Sequence, residues 1–180
     1  MNVPNVLTLL RILLIPCFIG FLLYDHKGTA LAVFLLAALT DALDGAIARL
    51  FNQKTLIGTY LDPIADKLLL TAGFISLTAL EMIPIWLTIL VVSRDVILSV
   101  GTLILHVTQT QFSIRPTFLG KITTTVQLAY ILLLLFFMVY GKNVAALSPL
   151  MIGTAVLTFG SGVHYLHRGL RLMGTGEPWT

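Results

Sequence analysis

The chain has 180 residues, 57% hydrophobic and only 11% charged, with a mean hydropathy of +0.97, which excludes an ordinary soluble domain and points to a polytopic membrane protein. Its net charge is +3 and its pI about 9.2, but the eleven Lys and Arg are scattered between apolar runs and build no basic face, so nucleic acid is not an expected partner. A single cysteine, Cys17, excludes an internal disulfide and reads as a small packing residue.

Six apolar stretches of membrane-spanning length follow in order, at about 5–24, 29–49, 59–79, 84–106, 118–140 and 146–167. Short polar breaks join them, so the expected fold is all-α, a six-transmembrane-helix bundle forming one membrane domain over residues 1–180. The first stretch lacks a basic leader and a small-residue cleavage site, and reads as a retained helix. It opens PNVLTLLR, where Asn5, Thr8 and Arg11 recur every three residues along one face. Arg11 lies two turns into the apolar run, where an arginine normally faces a polar interior.

With a cytosolic N-terminus, the inner loops and tail carry Arg49, Lys54, Arg115, Lys121, Arg168 and Arg171, and the outer loops only Lys27 and Lys142. The positive-inside rule therefore places both termini in the cytosol. Asp41 and Asp44 then close the second helix, and Asp62 and Asp66 open the third, all just below the cytosolic surface.

Asp41 and Asp44 are three apart and Asp62 and Asp66 four apart, so each pair projects from one helix face. Four bare carboxylates together would repel one another, which requires either protonation or divalent cations among them. Oxygen donors without His or Cys favour Mg²⁺, Mn²⁺ or Ca²⁺ over zinc. Gly45 and Ala48 leave a nearly bare helix surface, Arg49 suits a diphosphate, and Lys67 tempers the negative charge. Gly58 is expected to turn the loop back toward the membrane, with Pro63 tolerated in the first turn of a helix starting near Thr59. The combination is that of a phosphoryl-transfer site, with a small cation or proton transporter as the alternative of another class.

The stretch reads D-x2-D-G-x2-A-R-x8-G-x3-D-x3-D through Asp41, Asp44, Gly45, Ala48, Arg49, Gly58, Asp62 and Asp66, and resembles the signature of the CDP-alcohol phosphatidyltransferases. That resemblance implies a six-helix, usually homodimeric membrane enzyme that uses two divalent cations, Mg²⁺ or Mn²⁺, to displace CMP from a CDP-linked lipid. It implies metal ligation by Asp41, Asp44, Asp62 and Asp66, with Asp66 also the candidate base for the attacking hydroxyl. Asp44, Gly45, Ala48, Arg49 and Gly58 would line the CDP site, joined by the polar stripe of Asn5, Thr8 and Arg11.

Beyond the signature, NVPNVLTLLRILLIP, GTYLDPIADKLLL, IPIWLTILVVSRDVILS and RPTFLGKITTTVQL look like the branch containing phosphatidylglycerophosphate synthases and eukaryotic-type cardiolipin synthases. The donor implied is CDP-diacylglycerol and the acceptor an anionic, glycerol-containing molecule. Ser93 to Val96 and Arg115 to Phe118 resemble the cardiolipin branch, whose acceptor is phosphatidylglycerol and whose products are cardiolipin and CMP. Glycerol 3-phosphate as acceptor is the alternative. An anionic acceptor needs cations, and Arg94, Arg115, Lys121, His164 and Arg168 are the candidates. Neighbours on a helix point about 100° apart, so Asp95 is not expected to face Arg94 squarely, and Arg94 reads as a ligand for acceptor or phosphate. Cytosolic anchoring competes with acceptor binding for Arg115 and Lys121, and interfacial anchoring competes with it for His164 and Arg168.

Overall fold

Each apolar stretch becomes a helix in the computed structural model, which describes residues 3–50, 56–107 and 118–175, with side chains over 8–40, 67–101 and 118–167. In order these are α1 (Val3–Leu23), α2 (Lys27–Leu50), α3 (Leu56–Ala79), α4 (Ile85–Val107), α5 (Phe118–Val139) and α6 (Ser148–Thr175), with a short 3₁₀ turn at Val144–Leu147 before α6. The described residues contain no strand. Among them two segments, Phe118–Val139 and Val144–His167, are long and apolar enough to cross a membrane, while the apolar parts of the first three helices, Thr8–Leu23, Lys27–Thr40 and Lys67–Ala79, are shorter.

Two local expectations are corrected. Because α3 begins at Leu56, Gly58 lies inside the helix and not in a loop, and Pro63 stands beyond the first turn. A proline there removes one i to i−4 hydrogen bond, a local cost that the helix absorbs. The apolar stretch expected at about 146–167 agrees with the spanning segment Val144–His167, and the sixth helix runs on past it to Thr175.

Three helices end in the same way. After α1 the His26 amide donates to the Phe21 carbonyl (2.8 Å) and the Asp25 amide to that of Leu22 (3.2 Å), with Asp25 left-handed at φ 61°. This is a Schellman cap, normally closed by glycine because a Cβ is strained there. Glu81 (φ 60°) after α3 and Gly141 (φ 59°) after α5 repeat it, with the Met82 and Lys142 amides reaching back to the Leu77 and Phe137 carbonyls, each at 2.9 Å. The first cap needs only three residues between α1 and α2, and these two helices pack against each other as a hairpin.

The chain forms two compact units. The first comprises residues 1–84 and 131–147, where α1 packs on both α2 and α3. Its centre is apolar: Phe18 and Phe34 meet with ring centroids 5.1 Å apart, a pairing worth about 0.5–1.5 kcal/mol beyond area burial. Ile131, Leu134 and Leu135 of α5 are fully buried in the same unit. Gly73 lets α3 approach, since a Cβ there would lie 2.9 Å from Ile131 Cδ1 and 3.3 Å from Phe34 Cε2. Gly73→Val should therefore cost about 1–3 kcal/mol through overpacking, read as a lower midpoint of thermal unfolding in detergent. An unchanged midpoint would show that this seam is slack.

The second unit comprises residues 85–130 and 148–180, in which α4 packs on α6. Here the buried positions are largely polar: Arg94 and Asp95 on α4, Thr123 and Gln127 on α5, and Thr154, Thr158 and Ser161 on α6. The β-branched run Thr123 to Thr125 is carried in a helix by hydroxyls that donate to the carbonyls of Leu119, Gly120 and Lys121, four residues back. Large apolar side chains face outward in both units, among them Leu13 (65% exposed), Ile89 (58%) and Phe159 (62%), a surface suited to lipid and not to water.

Candidate active site

The site is built from the buried line of α1, which runs Thr8, Arg11, Ile15, Phe18 and Leu22 at alternating spacings of three and four. Thr8 is 1% exposed and Arg11 not at all, so the polar stripe predicted from sequence continues the apolar line that packs the unit. On α2 the buried residues are Ala30, Phe34, Ala37 and Thr40, and positions 41, 44 and 48 follow along the same helix. On α3 the buried line is Leu70, Phe74 and Leu77 beside Gly73, and spacing backward leads to positions 66 and 62.

These lines share a level. Phe18, Phe34 and Gly73 lie together, as the ring pair and the close approach at Gly73 show. Arg11 stands seven residues before Phe18, Asp41 seven after Phe34 and Asp66 seven before Gly73. Seven residues are about 10 Å of helix and return to the same face within about 20°. The chain reverses between α1 and α2, and α3 starts from the end where α2 finishes, so all three counts run toward the same end of the unit. Three more residues along, Thr8 falls level with Asp44, and Asp62 lies one turn from Asp66. The backbone thus gathers the two aspartate pairs and the polar stripe of α1 at one end of the first unit.

The side chains of Asn5, Asp41, Asp44, Gly45, Ala48, Arg49, Gly58, Asp62 and Asp66 lie outside the described ones, and the helices supply only their positions. Among the residues with described side chains, no group of three His, Cys, Asp or Glu could hold a metal ion. The donor chemistry of the aspartates fits Mg²⁺ or Mn²⁺, being all oxygen and all hard.

Of the acceptor candidates with described side chains, Arg94, Lys121 and His164, Arg94 is buried. Its Nη1 donates to Asp95 Oδ1 at 2.6 Å and its Nη2 to Ser161 Oγ at 3.1 Å. Both side chains of the ion pair are 7% exposed, and Gly162 lies 3.7 Å from the Arg94 stem, measured from a Cβ built there. The expectation that adjacent residues do not pair squarely is therefore corrected, because the long, flexible arginine stem brings the guanidinium round to its neighbour. Arg94 Nε is buried without a hydrogen-bond partner among the described residues. Lys121 and His164 are exposed, Arg168 stands on α6 with its side chain outside the described ones, and Arg115 lies outside the described residues altogether.

One polar feature escaped the sequence reading. Gln127 Nε2 donates to Thr158 Oγ1 (2.9 Å), whose hydroxyl donates to the Thr154 carbonyl (2.7 Å), while Thr123 reaches the Leu157 carbonyl at 3.3 Å. These bonds tie α5 to α6 inside the second unit. The signal was present as Thr154, Thr158 and Ser161 at spacings of four and three, a polar line on an otherwise apolar helix.

A model of the CDP-alcohol phosphatidyltransferase family matches residues 1–160. The chain is 38% identical over 185 residues to cardiolipin synthase (CMP-forming) of Rattus norvegicus, covering 93% of this chain and 61% of the relative. It is 34% identical to a probable phosphatidylglycerophosphate synthase of Mycobacterium tuberculosis, over 96% of this chain and 84% of the relative. It is 33% identical to CDP-diacylglycerol--glycerol-3-phosphate 3-phosphatidyltransferase of Aquifex aeolicus, over 96% and 98%. The chain thus spans about three fifths of the length of the mammalian relative.

Proposed function

The chain belongs to the CDP-alcohol phosphatidyltransferase family, and from that premise we propose that it transfers a phosphatidyl group from CDP-diacylglycerol to phosphatidylglycerol, giving cardiolipin and CMP. The observation that carries the family chemistry is the aspartate signature, with its two pairs brought by helical register to one end of the first unit. The choice of acceptor is supported by the 38% identity to a cardiolipin synthase and by the segments around Arg94 and Arg115. Glycerol 3-phosphate remains the second reading, supported by the relatives from M. tuberculosis and A. aeolicus. Membership of a transferase family displaces the transporter alternative.

In this reading Asp41, Asp44, Asp62 and Asp66 hold two divalent cations, which when bound would offset charge on the diphosphate and on departing CMP. Asp66, at the edge of the cluster, takes the proton of the acceptor hydroxyl. The hydroxyl oxygen then bonds to the phosphorus bearing the diacylglycerol, and the bond from that phosphorus to the CMP oxygen breaks. Gly45 and Ala48 admit the nucleotide against the backbone, Arg49 and the α1 stripe meet the diphosphate, and Arg94 is a candidate ligand for acceptor or phosphate. The same reading takes the chain as one six-span domain over residues 1–180, a homodimer with both termini and the site on the cytosolic side.

The test supplies purified protein with CDP-diacylglycerol, Mg²⁺ or Mn²⁺, and each acceptor separately, and follows CMP release. Release with phosphatidylglycerol is expected. Release with glycerol 3-phosphate alone would reverse the order of the two acceptors, and no release with either would remove the transferase reading.

A further inference from the structure

We propose that Arg11 is a positioning residue, a fixed positive charge built into the carboxylate cluster that sets how tightly the cluster takes divalent cations before any nucleotide arrives. The proposal rests on reading Asp41, Asp44, Asp62 and Asp66 as the cation ligands, and it gives Arg11 a role beyond contact with the diphosphate.

Arg11 has no exposed surface, so its guanidinium is removed from water and requires an opposing charge. Within the first unit the acidic residues are Asp25, Asp41, Asp44, Asp62, Asp66 and Glu81. Asp25 and Glu81 are exposed and sit in the caps after α1 and α3, at the far ends of those helices. From Arg11 to Asp25 is fourteen residues, about 20 Å of helix, beyond the reach of any side chain. The remaining acids are the four aspartates, and by count along the helices Asp41 and Asp66 stand as many residues from the Phe18–Phe34–Gly73 layer as Arg11 does, toward the same end of the unit.

A cation fixed beside four carboxylates lowers their mutual repulsion and competes with incoming metal. Removing it while leaving the aspartates in place should tighten metal binding. A side chain that served packing alone, or that touched only the diphosphate, would not produce that effect.

The experiment measures free Mn²⁺ by electron paramagnetic resonance as it is titrated into the purified full-length protein without nucleotide. Arg11→Gln is expected to bind Mn²⁺ about tenfold more tightly than wild type, and Arg11→Lys, which keeps the charge, within about twofold of wild type. Thermal unfolding provides a second readout: Mn²⁺ should raise the midpoint of Arg11→Gln by more than it raises that of wild type. Unchanged or weaker Mn²⁺ binding by Arg11→Gln overturns the proposal. Should that variant fail to fold even with Mn²⁺, Arg11→Lys decides, since folded Arg11→Lys with tenfold altered affinity also overturns it. Asp41→Asn with Asp66→Asn separates the two levels of inference. If that double variant binds Mn²⁺ as wild type does, the cation-site reading fails first; if it loses Mn²⁺ and Arg11→Gln is unaltered, only the role of Arg11 fails.

Discussion

Asp66→Asn should reduce CMP release by about 10²- to 10⁴-fold, the range that a positioned general base supplies, while CDP-diacylglycerol binding is largely retained. The amide keeps the size of the side chain and one oxygen that can face a cation, but it cannot accept the acceptor's proton. A split between turnover and binding is the expected signature, read by CMP release at saturating substrates and by equilibrium binding of the nucleotide lipid. Wild-type turnover in this variant would take Asp66 out of the mechanism. Loss of nucleotide binding equal to the loss of turnover would make Asp66 a ligand and nothing more. Asp66 is the residue to choose because it lies one turn deeper into α3 than Asp62.

The second large effect is expected at Arg94. Its guanidinium and the Asp95 carboxylate are both almost fully buried and 2.6 Å apart, so Arg94→Met leaves a buried carboxylate without its cation. Removing one partner of such a pair costs about 3–5 kcal/mol, far more than a surface ion pair would. Thermal unfolding in detergent should show the loss. Adding Asp95→Asn to Arg94→Met removes the buried negative charge that Arg94 had offset and should restore part of the stability. Activity provides the discriminating measurement: if Arg94 also meets the acceptor, the stable double variant keeps a raised KM for the acceptor, whereas a purely structural Arg94 predicts that KM returns with stability. If Arg94→Met unfolds as wild type does, the buried pair contributes nothing to holding α4.

The two arginines illustrate how differently sequence speaks about similar residues. Arg11 was legible because Asn5, Thr8 and Arg11 repeat at helical spacing beside an aspartate signature, and both its burial and its place on the packing face of α1 follow that pattern. Arg94 was not legible to the same degree. Its pairing depends on the rotamer of a long side chain and on Ser161, 67 residues away, and neither periodicity nor spacing carries that information. The Gln127–Thr158 bond was hidden for the same reason, although the polar line on α6 hinted at it.

By itself, the sequence determined the family, through eight residues at set spacing, the number and order of the helices, and the end of α2 and α3 where the carboxylates stand. These are local properties, set by hydropathy over about twenty residues and by the 3.6-residue turn. The tertiary structure alone decided that Phe18, Phe34 and Gly73 form one layer, from which the helix ends carrying Arg11, Asp41 and Asp66 run toward the same end of the unit. It also decided that Arg94 is neutralised by its own neighbour and held by α6. Both facts depend on how helices slide and rotate against one another, which side-chain packing chooses and the chain's local pattern leaves open.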